Sequence, residues 1–110
     1  MLGWQGWRFL GNYWDREPVS VGDSCSYLWG GNMFIPTEAM ADDGILALDE
    51  QYWNCEDIWL AYYANHVLGM DLRMGESDVQ IEQDGKDEYL KHREKKVQLL
   101  NELRAKGWDV

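Results

Sequence analysis

The sequence contains little cysteine, proline or phenylalanine, with two residues of each among its 110. Cys25 and Cys55 are far apart in the chain, and neither belongs to a CxxC pair or a Cys/His pattern with metal-ligand spacing. We therefore favour two buried, reduced thiols over a disulfide or a metal site. The sequence also lacks a G-x-G-x-x-G or P-loop motif, which argues against the common phosphate-binding loops.

Long apolar runs are missing as well. No stretch approaches the roughly 20 apolar residues that a helix needs to span a bilayer. The first residues, MLGWQGWRFLGNYW, lack the basic region and following apolar core of a secretory signal. We expect a cytoplasmic chain with no membrane span.

Basic residues are scarce, because ten Lys and Arg stand against twenty Asp and Glu, for a formal net charge of −10. Phosphate would repel such a chain, so nucleic acid is a poor partner. The densest basic stretch, KHREKK at residues 91–96, includes an acid and has the spacing of a solvated helix face. We therefore predict no nucleic-acid binding.

Aromatic residues with a polar tip are abundant, with seven Trp and six Tyr. An apolar content of 45% is typical of a globular domain and argues against disorder throughout. Indole and phenol rings suit half-wet surfaces. They can stack on sugars or contact other proteins, and composition alone does not separate these uses.

The predicted organisation is a single domain, residues 1–110, with three regions. Residues 1–35 are rich in Gly, Trp and Tyr and show no helical period, which predicts short strands and loops. Residues 36–70 contain a helical turn and a buried central helix. Residues 71–110 form a tail with a terminal amphipathic helix, so the predicted fold class is α/β.

Both predicted helices are followed by a glycine. The central helix is expected from about residue 56 to residue 68, with Asn54 as a suitable N-cap and Gly69 after its end. The terminal helix is expected over residues 86–106 and ends at Gly107. Its narrow apolar stripe is typical of a helix packed on a surface and consists of Tyr89, Leu90, Val97, Leu100 and Leu103.

Two adjacent acids, Glu56 and Asp57, begin the central helix inside the aromatic stretch YWNCEDIWLAYY. The plainer interpretation is a helix start whose acids complement the helix dipole. The functional interpretation is a carboxylate that Trp53, Cys55 and Trp59 desolvate, which would make it a better general base.

The stretch LWGGNMF, residues 28–34, contains a glycine pair between two predicted strands. Paired glycines suit a tight turn, because they adopt unusual backbone angles and allow close approach of the backbone. The same loop could form a floor over which a ligand passes. Both interpretations are equally supported by this stretch alone.

Taken in order, Gly30-Gly31, a short strand, a helical turn and then Glu56-Asp57 at a helix start resemble the acceptor half of GT-A-type glycosyltransferases. The string NCEDI at residues 54–58 is particularly similar to exostosin-like transferases, and the charged final helix is similar to the tail of family-2-type enzymes. The resemblance covers residues 25–70 well and the remainder loosely. It implies a partial GT-A-like fold and transfer of a sugar from a nucleotide-sugar donor to a glycan or other hydroxyl acceptor.

The resemblance also implies roles for particular residues. In inverting members the acid that matches Asp57 removes the acceptor proton, whereas in retaining, exostosin-like members it contacts the sugar differently. Glu56 would bind acceptor hydroxyls or orient the loop. The loop beside donor sugar and acceptor matches Gly30, Gly31 and Asn32, and the candidates for sugar stacking are Trp29, Trp53 and Trp59.

The sequence departs from that family by lacking its N-terminal nucleotide-binding half and the Asp-x-Asp metal motif. Mn²⁺ or Mg²⁺ is expected for a complete enzyme, but the sequence identifies no metal site in this chain. We expect a fragment that is not active alone and that pairs with a donor-binding half or with itself. The alternative is a non-catalytic, aromatic-rich binding or interaction module.

Overall fold

Six short strands form two small sheets in the computed structural model, which describes residues 1–3, 5–29, 33–76 and 92–110. One sheet has the order β5-β1-β6 and the other the order β3-β2-β4. The strands are β1 (Leu2–Gly3), β2 (Gly6–Phe9), β3 (Arg16–Pro18), β4 (Tyr27–Leu28), β5 (Met33–Phe34) and β6 (Arg73–Met74).

The second sheet is antiparallel throughout, because β2 pairs with both β3 and β4 in that sense. The β2–β3 connection turns at Asn12, whose side-chain oxygen accepts hydrogen bonds from the backbone N–H groups of Trp14 and Asp15. Asparagine favours such turns because its side chain can bond the backbone two or three residues ahead. In the first sheet β1 pairs antiparallel with β5 and parallel with β6.

The helices lie after β5, in the middle and at the end of the described chain, and β6 comes after the second α-helix. The α-helices are α1 (Thr37–Met40), α2 (Glu56–Tyr62) and α3 (Arg93–Ala105). Two 3₁₀-helices, Asp43–Leu46 and Glu50–Cys55, connect α1 to α2, and a π-helical turn, Tyr63–Val67, continues α2. Within the described ranges no helix is both long and apolar enough to cross a membrane.

The core lies around α2, which packs against β4 on one side and α3 on the other. Ile58 and Ala61 on its inward face are fully buried, and α3 contributes Leu100 and Leu103. Complete burial of a leucine or isoleucine side chain contributes about 1.5–3 kcal/mol, so this contact is a main source of stability. The chain is thus a small α/β domain, with strands near the beginning, a buried central helix and a terminal helix.

The prediction that Asn54 caps the central helix is wrong. Asn54 is exposed and lies inside the second 3₁₀-helix, whose own N-cap is Asp49 through a hydrogen bond from the backbone N–H of Gln51. The chain is therefore already helical when it reaches Glu56, and no side chain caps α2. The predicted end is confirmed, since Gly69 follows with a φ of +70°.

The terminal helix is confirmed over Arg93–Ala105, and Gly107 ends it with a φ of +105°, but it begins at Arg93 after the N-cap His92 rather than at residue 86. Residues 86–91, which include Tyr89 and Leu90 of the predicted stripe, lie outside the described residues. The stripe is broader than predicted, because Lys96 and Leu99 are buried beside Leu100 and Leu103.

Candidate functional site

Asp57 points into the protein interior from the first turn of α2 and is only 6% exposed. One carboxylate oxygen accepts a hydrogen bond from the backbone N–H of Ile58 at 2.9 Å. The same oxygen lies 3.8 Å from Nζ of Lys96 on α3, and both side chains are 8% exposed. The carboxylate is therefore a partner in a buried ion pair between two helices.

Tyrosines surround this ion pair. Nζ of Lys96 lies 5.3 Å from the ring centroid of Tyr13, and the hydroxyls of Tyr13 and Tyr27 share a hydrogen bond of 3.0 Å. The guanidinium of Arg16 also lies close to Tyr13, at 4.6 Å from its ring centroid. We call Tyr13, Arg16, Tyr27, Asp57 and Lys96 the interior polar cluster.

The pKa shifts in the interior polar cluster follow from burial and from the Asp57 charge. Burial alone lowers the pKa of Lys96, but the nearby Asp57 carboxylate and Tyr13 outweigh it, and the net pKa is raised. Burial and then the charge of Asp57 raise the pKa of Tyr27 well above its ordinary value. Lys96 is thus held in its charged form, and Tyr27 is held neutral.

Glu56, the residue before Asp57, lies at the surface and lines a groove of about 240 Å³. The side chains that line this apolar groove come from α1, both 3₁₀-helices, α2 and the segments between them. Of the nine lining residues, Glu56 alone is charged. The groove is lined mainly by Met40, Ile45, Leu46, Trp53, Trp59 and Leu60.

The apolar groove has a fixed floor and an exposed rim. Ile45 is 1% exposed, and its backbone carbonyl accepts a hydrogen bond of 2.7 Å from Nε1 of Trp59, which fixes the indole. By contrast, Leu46 is 74% exposed and Trp53 is 63% exposed. The groove therefore joins an ordered base to large apolar side chains that water still contacts.

Asp42 fastens the first 3₁₀-helix to the end of α2. Its carboxylate accepts hydrogen bonds from the Tyr63 hydroxyl at 2.6 Å and from the backbone N–H of Gly44 at 3.0 Å. These bonds, with the one from Tyr63 the larger cause, lower the pKa of Asp42, and the same contact raises the pKa of Tyr63. A Cβ at Gly44 would overlap the Tyr63 hydroxyl, so only glycine fits there without displacement.

The structure brings together some of the sequence-predicted site residues and separates others. Trp53, Glu56 and Trp59 meet in the apolar groove, whereas Asp57 lies in the interior polar cluster. Trp29 is half-buried after β4 and does not line the groove. Three predicted loop residues, Gly30, Gly31 and Asn32, lie outside the described residues.

The separation of Glu56 from Asp57 follows from helix geometry. Adjacent side chains on an α-helix point about 100° apart, so one can face solvent while the next faces the core. Glu56 is exposed and Asp57 is buried, as this geometry requires. The two carboxylates therefore cannot act on one bound group from the same side.

No metal centre is evident in the part of the chain that the structure describes. Its His, Cys, Asp and Glu side chains form no group of three or more that could hold a metal ion. Cys25 and Cys55 are both free thiols, and burial raises the pKa of each to about 11. These thiols are therefore poor nucleophiles near neutral pH.

Sequence reasoning missed the wall of the groove formed by Ile45, Leu46 and Leu48. The stretch ILAL shows no helical or strand period, because a single 3₁₀ turn is too short to produce one. A second, wider groove of about 620 Å³ lies beside the first, between Phe34, Met70 and Arg73. Ile35 lines both grooves.

No protein-family model matches this sequence, and comparisons with curated proteins and with solved structures find no match. The resemblance to GT-A-type glycosyltransferases therefore stays a prediction.

Proposed function

We propose that this chain is a non-catalytic binding module whose apolar groove holds an apolar side chain of a partner protein. The observation that carries the proposal is the exposure of Leu46 and Trp53, at 74% and 63%, beside an ordered floor. Soluble proteins seldom leave clustered large apolar side chains in water unless those side chains contact something.

The size of the groove supports a side chain as its occupant. Pockets for drug-sized ligands have volumes of about 300–1,000 Å³. The groove, at about 240 Å³, is smaller than that range. One or two protruding side chains of a peptide segment match it better than a nucleotide sugar does.

The chemistry of the lining also favours an apolar occupant over a sugar. A sugar presents several hydroxyls, and each hydroxyl buried without a partner costs about 1–3 kcal/mol. Among the lining side chains only Glu56 offers a carboxylate, and Nε1 of Trp59 is already bonded to Ile45. The indole of Trp53 is available for stacking on an apolar side chain.

The groove is largely formed before a partner arrives. Gly44 and Tyr63 donate hydrogen bonds to Asp42, and Trp59 donates one to Ile45, which together hold the first 3₁₀-helix against α2 and the π-helical turn that continues it. A preformed site loses less conformational entropy on binding, so more of the contact energy appears as affinity.

Sugar transfer by Asp57 stays a prediction, and it requires a conformation in which the Asp57 carboxylate is accessible to an acceptor. A general base must come within about 2.6–3.2 Å of the proton it removes, directly or through one water. Asp57 is 6% exposed, pairs with Lys96 and does not line the apolar groove. These positions favour a structural role for Asp57.

The proposal is tested with random peptides displayed on phage and selected against the folded chain, followed by fluorescence anisotropy of the enriched peptides. We expect peptides with a bulky apolar residue, and Trp53→Ala should weaken their binding at least about tenfold, as interface tryptophans commonly do.

The matched control is Leu10→Ala, because Leu10 is 60% exposed and does not line the apolar groove. This variant should bind the peptides as the unchanged protein does. Equal loss in both variants, or no loss in Trp53→Ala, would place binding elsewhere and contradict the proposal.

A further inference from the structure

The charges of the chain are unevenly distributed along the sequence. Residues 17–72 contain ten Asp and Glu and no Lys or Arg. Every residue that lines the apolar groove lies within this stretch. Any ligand that enters the groove therefore approaches an acidic segment of the protein.

Exposed acids lie on each helical element that forms the groove. Glu38 is on α1, where it lines the second, wider groove, Asp43 begins the first 3₁₀-helix, and Glu50 begins the second, after its cap Asp49. Glu56 lines the groove itself. We call Glu38, Asp43, Asp49, Glu50 and Glu56 the acidic rim.

The acidic rim is not neutralised from within the described chain. No Lys or Arg of the described residues forms an ion pair with any of its five carboxylates. Two lysines of the last part of the chain approach the same region: Lys95 donates a hydrogen bond to Gln51, and Nζ of Lys106 lies 6.0 Å from the ring centroid of Trp59. Among the residues that the structure describes, these two positive charges against five negative charges leave the rim negative.

We propose that the natural occupant of the groove is a cationic, amphipathic peptide segment, a specification that rests on the proposed function above. Its apolar side chain enters the groove between Leu46 and Trp53, and its Lys or Arg side chains contact the acidic rim. Complementary charges of this kind fix register and speed association. The overall charge of −10 adds a long-range attraction for a basic partner.

The same charges oppose the other possible occupants. Anionic lipid surfaces attract basic segments and repel acidic ones. A second copy of the chain brings its own acidic rim to the contact, where like charges are costly. A basic peptide is therefore the occupant that both the apolar groove and its charged surroundings favour.

The test uses three synthetic peptides with the same leucine positions and with Lys, Gln or Glu at every polar position. We expect the Lys peptide to bind at least about tenfold more tightly than the Gln peptide, because several partly exposed ion pairs each contribute modestly. The Glu peptide should not bind. Added salt should weaken the Lys peptide and leave the Gln peptide unchanged.

Variants then locate the charge effect. Glu56→Gln combined with Glu50→Gln should reduce the preference for the Lys peptide over the Gln peptide several-fold. Asp109→Asn removes one exposed charge outside the acidic rim and should leave the preference nearly unchanged. An equal effect of both changes would overturn the assignment of the rim.

The outcomes distinguish this inference from the function on which it rests. If all three peptides bind alike and Trp53→Ala weakens each of them, the binding module stands and the cationic partner is overturned. If none binds, both are overturned. Binding of phosphatidylserine vesicles, or a dimer in light scattering that Trp53→Ala dissociates, would also overturn the cationic peptide as occupant.

Discussion

Glu56 and Asp57 are neighbours in the chain, yet one is exposed to water and the other is buried. Glu56 faces water beside an apolar groove, whereas Asp57 lies among tyrosines in contact with a buried lysine. A rotation of about 100° between adjacent residues thus separates a surface suited to recognition from a polar layer that holds α2 against α3. A pair of acids at a helix start can serve two unrelated purposes.

The largest expected effect comes from removing the interior acid. Asp57→Ala should lower the free energy of unfolding by about 3 kcal/mol, because it leaves the charge of Lys96 buried without its carboxylate. Urea denaturation followed by circular dichroism measures the loss.

Glu56→Ala is the matched control and should change the free energy of unfolding by less than about 0.5 kcal/mol, as is usual for an exposed residue. Replacing both members of the ion pair, with Asp57→Leu and Lys96→Met together, should recover most of the stability lost in Asp57→Ala. A Glu56 variant as unstable as the Asp57 variant would contradict the distinction between the two environments.

A smaller loss is expected at the wall of the groove. Gly44→Ala should lower the free energy of unfolding by about 1–3 kcal/mol, because the added methyl group overlaps the Tyr63 hydroxyl. The same variant should weaken peptide binding, since the first 3₁₀-helix must move. Urea denaturation and anisotropy measure the two effects.

Tyr63→Phe provides the control for Gly44→Ala, because it removes the hydroxyl that the new methyl group meets. In the Tyr63→Phe background, Gly44→Ala should cost less than it does in the unchanged protein. Equal costs in the two backgrounds would show that the overlap with Tyr63 is not the cause.

The smallest expected effect is the pH dependence of the stability that Asp42 contributes at the same wall of the groove. Hydrogen bonds from Tyr63 and Gly44 lower the pKa of Asp42 in the folded state below its ordinary value of 3.8. The contribution of Asp42 to stability is therefore present above pH 3.8 and is lost as the pH falls through the lowered folded-state pKa.

The measurement compares urea denaturation of the unchanged protein and of Asp42→Asn at neutral pH and in acid. At neutral pH the unchanged protein should have a higher free energy of unfolding than Asp42→Asn, and this difference should shrink in acid. The stability of Tyr63→Phe should change less with pH than that of the unchanged protein, because this variant lacks the hydroxyl that donates to Asp42. If this difference in the free energy of unfolding between the unchanged protein and Asp42→Asn grows as the pH falls, the proposed contribution of Asp42 is contradicted.

Helices were easier to predict from this sequence than the groove was. Acids in a first turn and a following glycine predict the start of α2 at Glu56 and the end of its π-helical continuation before Gly69, because these residues act on the helix in which they lie. The two 3₁₀-helices have no periodic pattern of that length, so the wall at Ile45 and Leu46 was missed. Their arrangement depends on contacts with Trp59 and Tyr63, which come later in the chain.

The role of Asp57 also required the structure. The sequence shows that one of two adjacent acids can face inward, but it does not show which, because that choice depends on where the core lies. The partner of Asp57 is a lysine on α3, and lysines are rarely buried unless they are paired. A sequence pattern therefore placed Lys96 on a solvated face.

The most direct test of the proposed function is an NMR titration of the folded chain with the Lys peptide. Each tryptophan gives its own indole N–H signal, so the site of binding can be located. We predict shifts at Trp53 and Trp59, with Trp108 unchanged because it is buried and donates to Asn65. Saturable shifts confined to other tryptophans, with Trp53 and Trp59 unmoved, would contradict the apolar groove as the binding site.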